Sequence, residues 1–292
     1  MKVKQFLNGK KPLVSFEFFP PKTNEGVATL METIQALKEL KPSFVSMTYG
    51  AGGSTRERTV SLVSAIKHKI GLEAVAHLTC VGHSQSELRG LLKELEGEGI
   101  ENIVALRGDP PKGQTRFVQA PDGFRYGSEL VQFIRKEFNF CVGVAGYPEK
   151  HPEAPTLEKD LEHLKTKVDA GGDFVVTQLF FDNRDYFNFV KRLRSIGVTT
   201  PVIAGIMPIT DVDQIKRFTS MSGATIPPTL LAELEKVKSD KARVIEAGIR
   251  YATAQCTELL KKGAPGIHFF TLNKSQSTRE IFLNLKKNGS VQ

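Results

Sequence analysis

A glutamate stands inside an apolar run near the start of the chain, Val14-Ser15-Phe16-Glu17-Phe18-Phe19, which Pro20-Pro21 then stops. Burying an ionised carboxylate without a partner is costly, so such a group either keeps its proton or finds a donor. Its apolar neighbours are expected to raise the pKa of Glu17, and a carboxyl held neutral near pH 7 is a proton donor. The plainer reading is an edge-strand glutamate that points to water. Other polar groups recur directly after apolar runs. They are Thr48-Tyr49-Gly50-Ala51-Gly52-Gly53-Ser54-Thr55, His77 with Thr79, Arg107-Gly108-Asp109-Pro110-Pro111, Tyr147 through Glu153, and Thr177-Gln178 with Asp182-Asn183. Gly50–Gly53 reads either as a turn or as a backbone cradle for an anion. His77 fits a satisfied core histidine as well as a site group. Asp160, His163 and Lys167, at i, i+3 and i+7 beside a helix stripe, read by themselves as a solvated face. There is no nucleophile–base signature, no HExxH-like metal motif and no P-loop. A carboxylic acid with amides, hydroxyls and aromatics suits proton donation to a heterocycle, the redox chemistry coming from an organic cofactor.

The elements that must position these groups follow from periodicity. Short β-rich runs cover Val14–Phe19, Phe44–Thr48, Ala74–Thr79, Ile103–Leu106, Phe140–Ala145, Phe174–Phe180, Val202–Ile206 and Ile267–Leu272. Most are continuously apolar, as parallel strands covered on both faces are. Between them lie helical stripes such as Val27, Leu30, Ile34 and Leu37, or Leu157, Leu161, Leu164 and Val168. Thr156 starts the latter helix and Gly171-Gly172 ends it. Eight alternating units predict an α/β chain folded as one (β/α)8 TIM barrel over residues 1–292, with catalytic groups at the carboxyl ends of the strands. The long last crossover, Gly223 to Gly266, is expected to carry one or two extra helices, including Lys241–Lys262. A doubly wound open sheet is the runner-up, disfavoured because no strand leads into a G-x-G-x-x-G turn.

Composition narrows the class further. The chain has 40% hydrophobic and 25% charged residues, and its net charge of +8 is spread along the sequence. A basic field of this kind can gather anionic small molecules, but no basic stripe with interleaved aromatics points to nucleic acid. Cys80, Cys141 and Cys256 lie far apart and suggest neither a disulfide framework nor a metal site, in keeping with a reducing cytoplasm. No run approaches the roughly 20 apolar residues that span a bilayer, so a cytoplasmic protein without membrane partners is expected.

Together these segments resemble the methylenetetrahydrofolate reductase family of bacterial type. The matching motifs are Ser15-Phe16-Glu17-Phe18-Phe19-Pro20-Pro21-Lys22, Thr48 through Ser54, His77-Leu78-Thr79-Cys80 and Ala105-Leu106-Arg107-Gly108-Asp109. They continue with Gly146-Tyr147-Pro148-Glu149, His151-Pro152-Glu153-Ala154, Thr177 through Asp182, Gly205-Ile206-Met207-Pro208 and His268-Phe269-Phe270-Thr271-Leu272-Asn273. The resemblance implies a barrel that binds FAD, takes a hydride from NADH or NADPH, and passes it to 5,10-methylenetetrahydrofolate in ping-pong order. It implies Glu17 as the general acid that opens the folate's five-membered ring. Asp109 would stand near pterin and flavin and tune the flavin. Thr48, Gln178, Gln214, Phe218 and Lys274 would meet folate or nicotinamide. FAD would be held by Thr48, Tyr49, Ala51, His77, Arg107, Gly108, Asp109, Tyr126, Tyr147, His151, Ala154, Asp160, His163 and Lys167. His163 and Thr166 stand where the family commonly has Asn and Arg, Lys274 where it has Arg, and Phe270 where it has Tyr. A homo-oligomer is expected on family grounds. Inhibition by S-adenosylmethionine is not expected, since the chain stops after strand 8 and its helix. Two rivals keep the same site: a reductase subunit fed electrons by a partner protein, and a folate- or flavin-binding barrel without turnover. An aldolase-type barrel lacks the strand-end lysine that Schiff-base chemistry needs.

Overall fold

The structure, a computed structural model, describes residues 1–9, 11–49, 56–110 and 117–291. Eight parallel strands pair in chain order and close on themselves: β1 (Leu13–Phe18), β2 (Phe44–Met47), β3 (Ala74–Thr79), β4 (Asn102–Leu106), β5 (Cys141–Gly146), β6 (Phe174–Thr177), β7 (Val202–Ile206) and β8 (Gly266–Phe270). Closure rules out the open doubly wound sheet. Successive side chains of a strand face opposite sides, and here that divides the apolar residues between two cores. Val14, Phe16, Phe18, Val45, Ala76 and Leu78 pack outward beneath the helices. Leu13, Phe44, Val75, Val104, Phe174 and Ile203 form the inner core with Val3.

A short α1 (Val3–Leu7) precedes β1, and the outer layer comprises α2 (Asn24–Lys38), α3 (Arg56–Ala65), α4 (Gln85–Gly97), α5 (Gly127–Glu137), α6 (Leu157–Asp169), α7 (Asn183–Ser195), α8 (Val212–Ser222), α9 (Pro228–Lys236), α10 (Lys241–Lys261) and α11 (Gln276–Lys287). None of the described helices is long and apolar enough to cross a membrane. Caps follow the sequence signals: Thr156 Oγ1 accepts from the Lys159 N–H at the start of α6, and Gly171 leaves that helix at φ +122°. Two extra helices, α9 and α10, do occupy the crossover to β8. The short α1 has no counterpart in the periodicity. It joins the inner core through Val3, whose N–H donates to Asn102 Oδ1 of β4 at 2.7 Å.

Two strands, β6 and β8, end two or more residues earlier than their expected runs. β6 stops at Thr177, whose hydroxyl accepts the Gly205 N–H at 2.9 Å, and the Gln178 N–H then turns to Gly146 O at 2.7 Å. Leu179 and Phe181 stay buried because they pack with Met207, Ile209 and α8–α10, not because they continue the sheet. β8 stops at Phe270 because Leu272 and Asn273 take positive φ, 52° and 58°.

Inside the barrel, glycines make room for rings. A Cβ on Gly205 would lie 2.2 Å from the Thr177 carbonyl oxygen and 2.8 Å from the Phe270 ring. Backbone cannot yield as a flexible side chain can, so Gly205→Ala is expected to destabilise the fold by about 3 kcal/mol. Urea denaturation measures this, and a change within about 0.5 kcal/mol, the range of neutral surface substitutions, would contradict it.

Candidate active site

The carboxyl ends of the strands bring Glu17 between two histidines. Its Oε2 lies 3.2 Å from His268 Nε2 on β8 and 3.5 Å from His77 Nε2 on β3. Pairing of β1 with β8 sets Ser15 beside His268 and Glu17 beside Phe270. Ser15 Oγ lies 2.8 Å from His268 Nδ1, and Ser46 Oγ of β2 lies 3.5 Å from Nε2. The His268 ring stacks on Phe44 and meets Phe270 edge-on. His268 is 1% exposed, whereas the Glu17 side chain keeps 18% of its surface open at the mouth.

The chain after β8 holds the backbone at and beyond Glu17. Thr271 Oγ1 donates to Glu17 O at 2.6 Å, and Asn273 holds both backbone groups of Phe19, accepting from its N–H at 2.9 Å and donating to its carbonyl at 2.8 Å. Segment His268–Asn273 thus fixes the Glu17 carboxyl, its carbonyl and the turn beyond it. Ser15, His268, Thr271 and Asn273 had no individual role in the sequence reading. Their spacing gives no signal without the β1–β8 register.

The pKa of Glu17 runs opposite to expectation. Burial pushes it up, but the hydrogen bond with His268 and the charges of His77 and His268 outweigh burial and hold it below the ordinary value. The aromatic residues on either side in sequence face the outer core and do not surround the carboxyl. His77 is pushed down by burial, with Glu17 opposing. Its ring faces Glu17 across the strands.

A second group gathers on the β4–β6 side. Tyr147 feels the charges of Asp109, Asp160 and Arg107; burial first, then the two aspartates, push its phenol up to about 12. Tyr147 packs edge-on against His151 at 4.6 Å, and the His151 N–H donates to Asp160 Oδ2 at 2.9 Å. Ala154 is buried in the same turn. Lys167 Nζ donates to Ala145 O at 2.6 Å, and burial lowers its pKa to about 8 against the pull of Asp160. Arg107 forms a two-pronged pair with Glu153, at 2.6 and 2.7 Å, and lies over the Phe117 ring. Gly108 takes φ +87°, and a Cβ there would come within 2.5 Å of Val81. Next to it the buried Thr79 Oγ1 has no hydrogen-bond partner among the described residues.

The remaining expected residues are placed less tightly. The Thr48 N–H bonds Phe18 O, and Tyr49 OH lies 3.0 Å from His83 Nε2. Gln214 and Phe218 sit half-buried on α8, where Phe218 packs on the Leu179–Met207 cluster. Asp109, Tyr126, His163 and Lys274 are exposed. Ala51 and the whole Gly50–Gly53 stretch lie outside the described residues. The cysteines are buried, and burial raises each thiol, Cys80 to about 12 and Cys141 to about 11, which suits packing and not nucleophilic work.

The molecule is thus a (β/α)8 barrel whose carboxyl-terminal mouth carries a histidine-bound glutamate beside a polar arc of mixed charge. The sequence profile described as methylenetetrahydrofolate reductase matches residues 2–286, and the chain belongs to that family. It is 41% identical over 282 residues to "Methylenetetrahydrofolate reductase (NADH) 1" of Zea mays, covering 93% of this chain and 48% of the relative. It is 40% identical over 268 residues to "5,10-methylenetetrahydrofolate reductase" of Escherichia coli (strain K12), covering 92% of this chain and 88% of the relative. The chain spans about half the length of the plant relatives. In fold it resembles an uncharacterized Clostridium thermocellum protein that binds two copies of 5-methyl-5,6,7,8-tetrahydrofolic acid, with a TM-score of 0.65, 14% identity and 99% of each chain covered.

Proposed function

We propose that this protein reduces 5,10-methylenetetrahydrofolate to 5-methyltetrahydrofolate with NADH or NADPH, through bound FAD, with Glu17 as the general acid. The observation that carries the reading is the placement of Glu17: a carboxyl at the barrel mouth, fixed at both backbone and side chain, in a chain of this family. FAD, when bound, would supply the hydride chemistry, accepting hydride from a reduced nicotinamide and giving it to the folate.

The residues present fit such a cofactor. Lys167 is a cation withdrawn from water beside Ala145 O and Asp160, so an anionic group would relieve it. The buried Thr79 hydroxyl, near the end of β4, has no hydrogen-bond partner among the described residues. Arg107, Gly108, Tyr147, His151, Ala154, Asp160 and Lys167 would hold FAD, joined by Thr48, Tyr49, Ala51, His77, Tyr126 and His163. The exposed Asp109 would bias flavin and pterin by its charge. Gln178 would orient the pterin, Gln214 and Phe218 would cover the substrate from α8, and Lys274 would face an anionic tail.

Glu17 acts by giving its proton to a folate ring nitrogen, opening the five-membered ring to an iminium. The lowered pKa of the open site is compatible with this. A flat heterocycle over the mouth covers the exposed part of the carboxyl, and loss of water disfavours ionised Glu17 relative to its neutral form.

The test is the visible absorption spectrum of the purified protein. A flavin band that NADH bleaches without oxygen and methylenetetrahydrofolate restores is the expected result. No flavin band, even after FAD is added, would remove the cofactor assignment and the proposed reaction with it. A band untouched by both nicotinamides would favour electrons from a partner protein.

A further inference from the structure

The carboxyl of Glu17 is not free to choose its position or its proton. Its titratable neighbours among the described residues are His77 from β3 and His268 from β8, with the uncharged Ser46 reaching in from β2. Of these, His268 makes the closest approach and is itself locked. Phe44 and Phe270 fix its ring plane, and Ser15 engages the nitrogen that faces away from Glu17. The Ser15 hydroxyl has two acceptors, Ile267 O at 3.4 Å and His268 Nδ1 at 2.8 Å. These alternatives set opposite tautomers. When Ser15 donates to Ile267 O, its oxygen accepts from Nδ1–H. A neutral His268 then presents a bare Nε2, which pairs with protonated Glu17. When Ser15 donates to Nδ1, Nε2 carries the proton and pairs with ionised Glu17.

We propose that His268, locked by Ser15, is the positioning residue for Glu17: it fixes the carboxyl at the barrel mouth and governs its protonation. The proposal rests on the reading of Glu17 as the acid. It adds that the acid form is written into the barrel by a serine one pleat below, through a ring that touches no solvent. Proton balance is kept throughout. One proton is shared between Glu17 Oε2 and His268 Nε2, Glu17 passes it to the substrate, and a proton from water restores the pair after product leaves.

The two partners have opposite effects when removed. Ser15→Ala removes the hydroxyl both as acceptor from Nδ1–H and as donor to Nδ1; an orphaned buried N–H costs more than an orphaned acceptor, so the Nε2–H tautomer gains and ionised Glu17 is favoured. His268→Leu deletes the hydrogen bond and charge that hold Glu17 down, leaving burial to raise it. With the FAD-loaded protein, flavin reoxidation by methylenetetrahydrofolate is followed against pH. The limb set by the acid is expected to move down by about one unit in Ser15→Ala and up by about one unit in His268→Leu, within the range that a single hydrogen bond or charge commands. The limb for flavin reduction by NADH should stay in place in both. The carbon-13 shift of the Glu17 carboxyl, titrated in selectively labelled protein without substrate, should move in the same two directions. Shifts in opposite directions establish the assignment, and Ser15→Ala, a small change, decides it should His268→Leu not fold. A carboxyl that titrates in Ser15→Ala as in wild type overturns it. If methylenetetrahydrofolate reoxidises the wild-type flavin at no pH, the functional reading falls, and the carboxyl titration still decides whether His268 and Ser15 govern Glu17.

Discussion

Glu17→Gln is expected to slow flavin reoxidation by methylenetetrahydrofolate by about 10³-fold, the range that a positioned general acid supplies. NADH should still bleach the flavin of this variant, because hydride transfer from nicotinamide needs no proton from Glu17. The amide keeps the shape of the carboxyl and can still bond His268, so the site around it should stand. Stopped-flow absorbance on the two half-reactions separates the effects. A variant that reoxidises at the wild-type rate would remove Glu17 from the chemistry. A variant slowed equally in both half-reactions would point to a site distorted as a whole.

The barrel and much of its mouth were legible because parallel strands and their helices write strong patterns. The eight strands fell where the apolar runs lie, and the polar residues after them converge as a barrel requires. What failed was environment. Phe16 and Phe18 flank Glu17 in sequence, yet strand alternation turns them to the outer core. The true neighbours of Glu17 come from 60 residues further on in His77 and 251 residues on in His268. Covalent neighbours therefore suggested a raised pKa where cross-strand neighbours lower it. The end of β6 shows the same limit. An unbroken apolar run cannot tell burial in the sheet from burial beneath α8–α10, and Thr177 decides by taking the Gly205 N–H. On α6 the error ran the other way. Spacing alone made Asp160 and Lys167 a solvated face, whereas the fold half-buries both and leaves His163 outside.

Lys167 carries the second large expectation. Its pKa of about 8 against an ordinary 10.5 means the fold disfavours the charged ammonium. Between those values the unfolded chain binds the proton and the folded chain does not, so this group's contribution to stability rises as pH climbs from about 8 to 10.5. Below pH 8 the full burden of burying the charge is carried, and an incoming anion would relieve it. FAD binding near pH 8.5 should therefore be accompanied by proton uptake, read by calorimetry in buffers of different ionisation heats. Lys167→Met should abolish that uptake and weaken FAD by about 10²-fold, as loss of a charge-assisted contact does. The same variant without flavin should be more stable at pH 7 by about 1–3 kcal/mol, since a flexible apolar chain replaces a poorly solvated ammonium. Opposite signs for stability and affinity distinguish a cation kept for a ligand from one kept for the fold. A Lys167→Met protein that binds FAD as tightly as wild type, or that loses stability at pH 7, would assign the lysine to the fold.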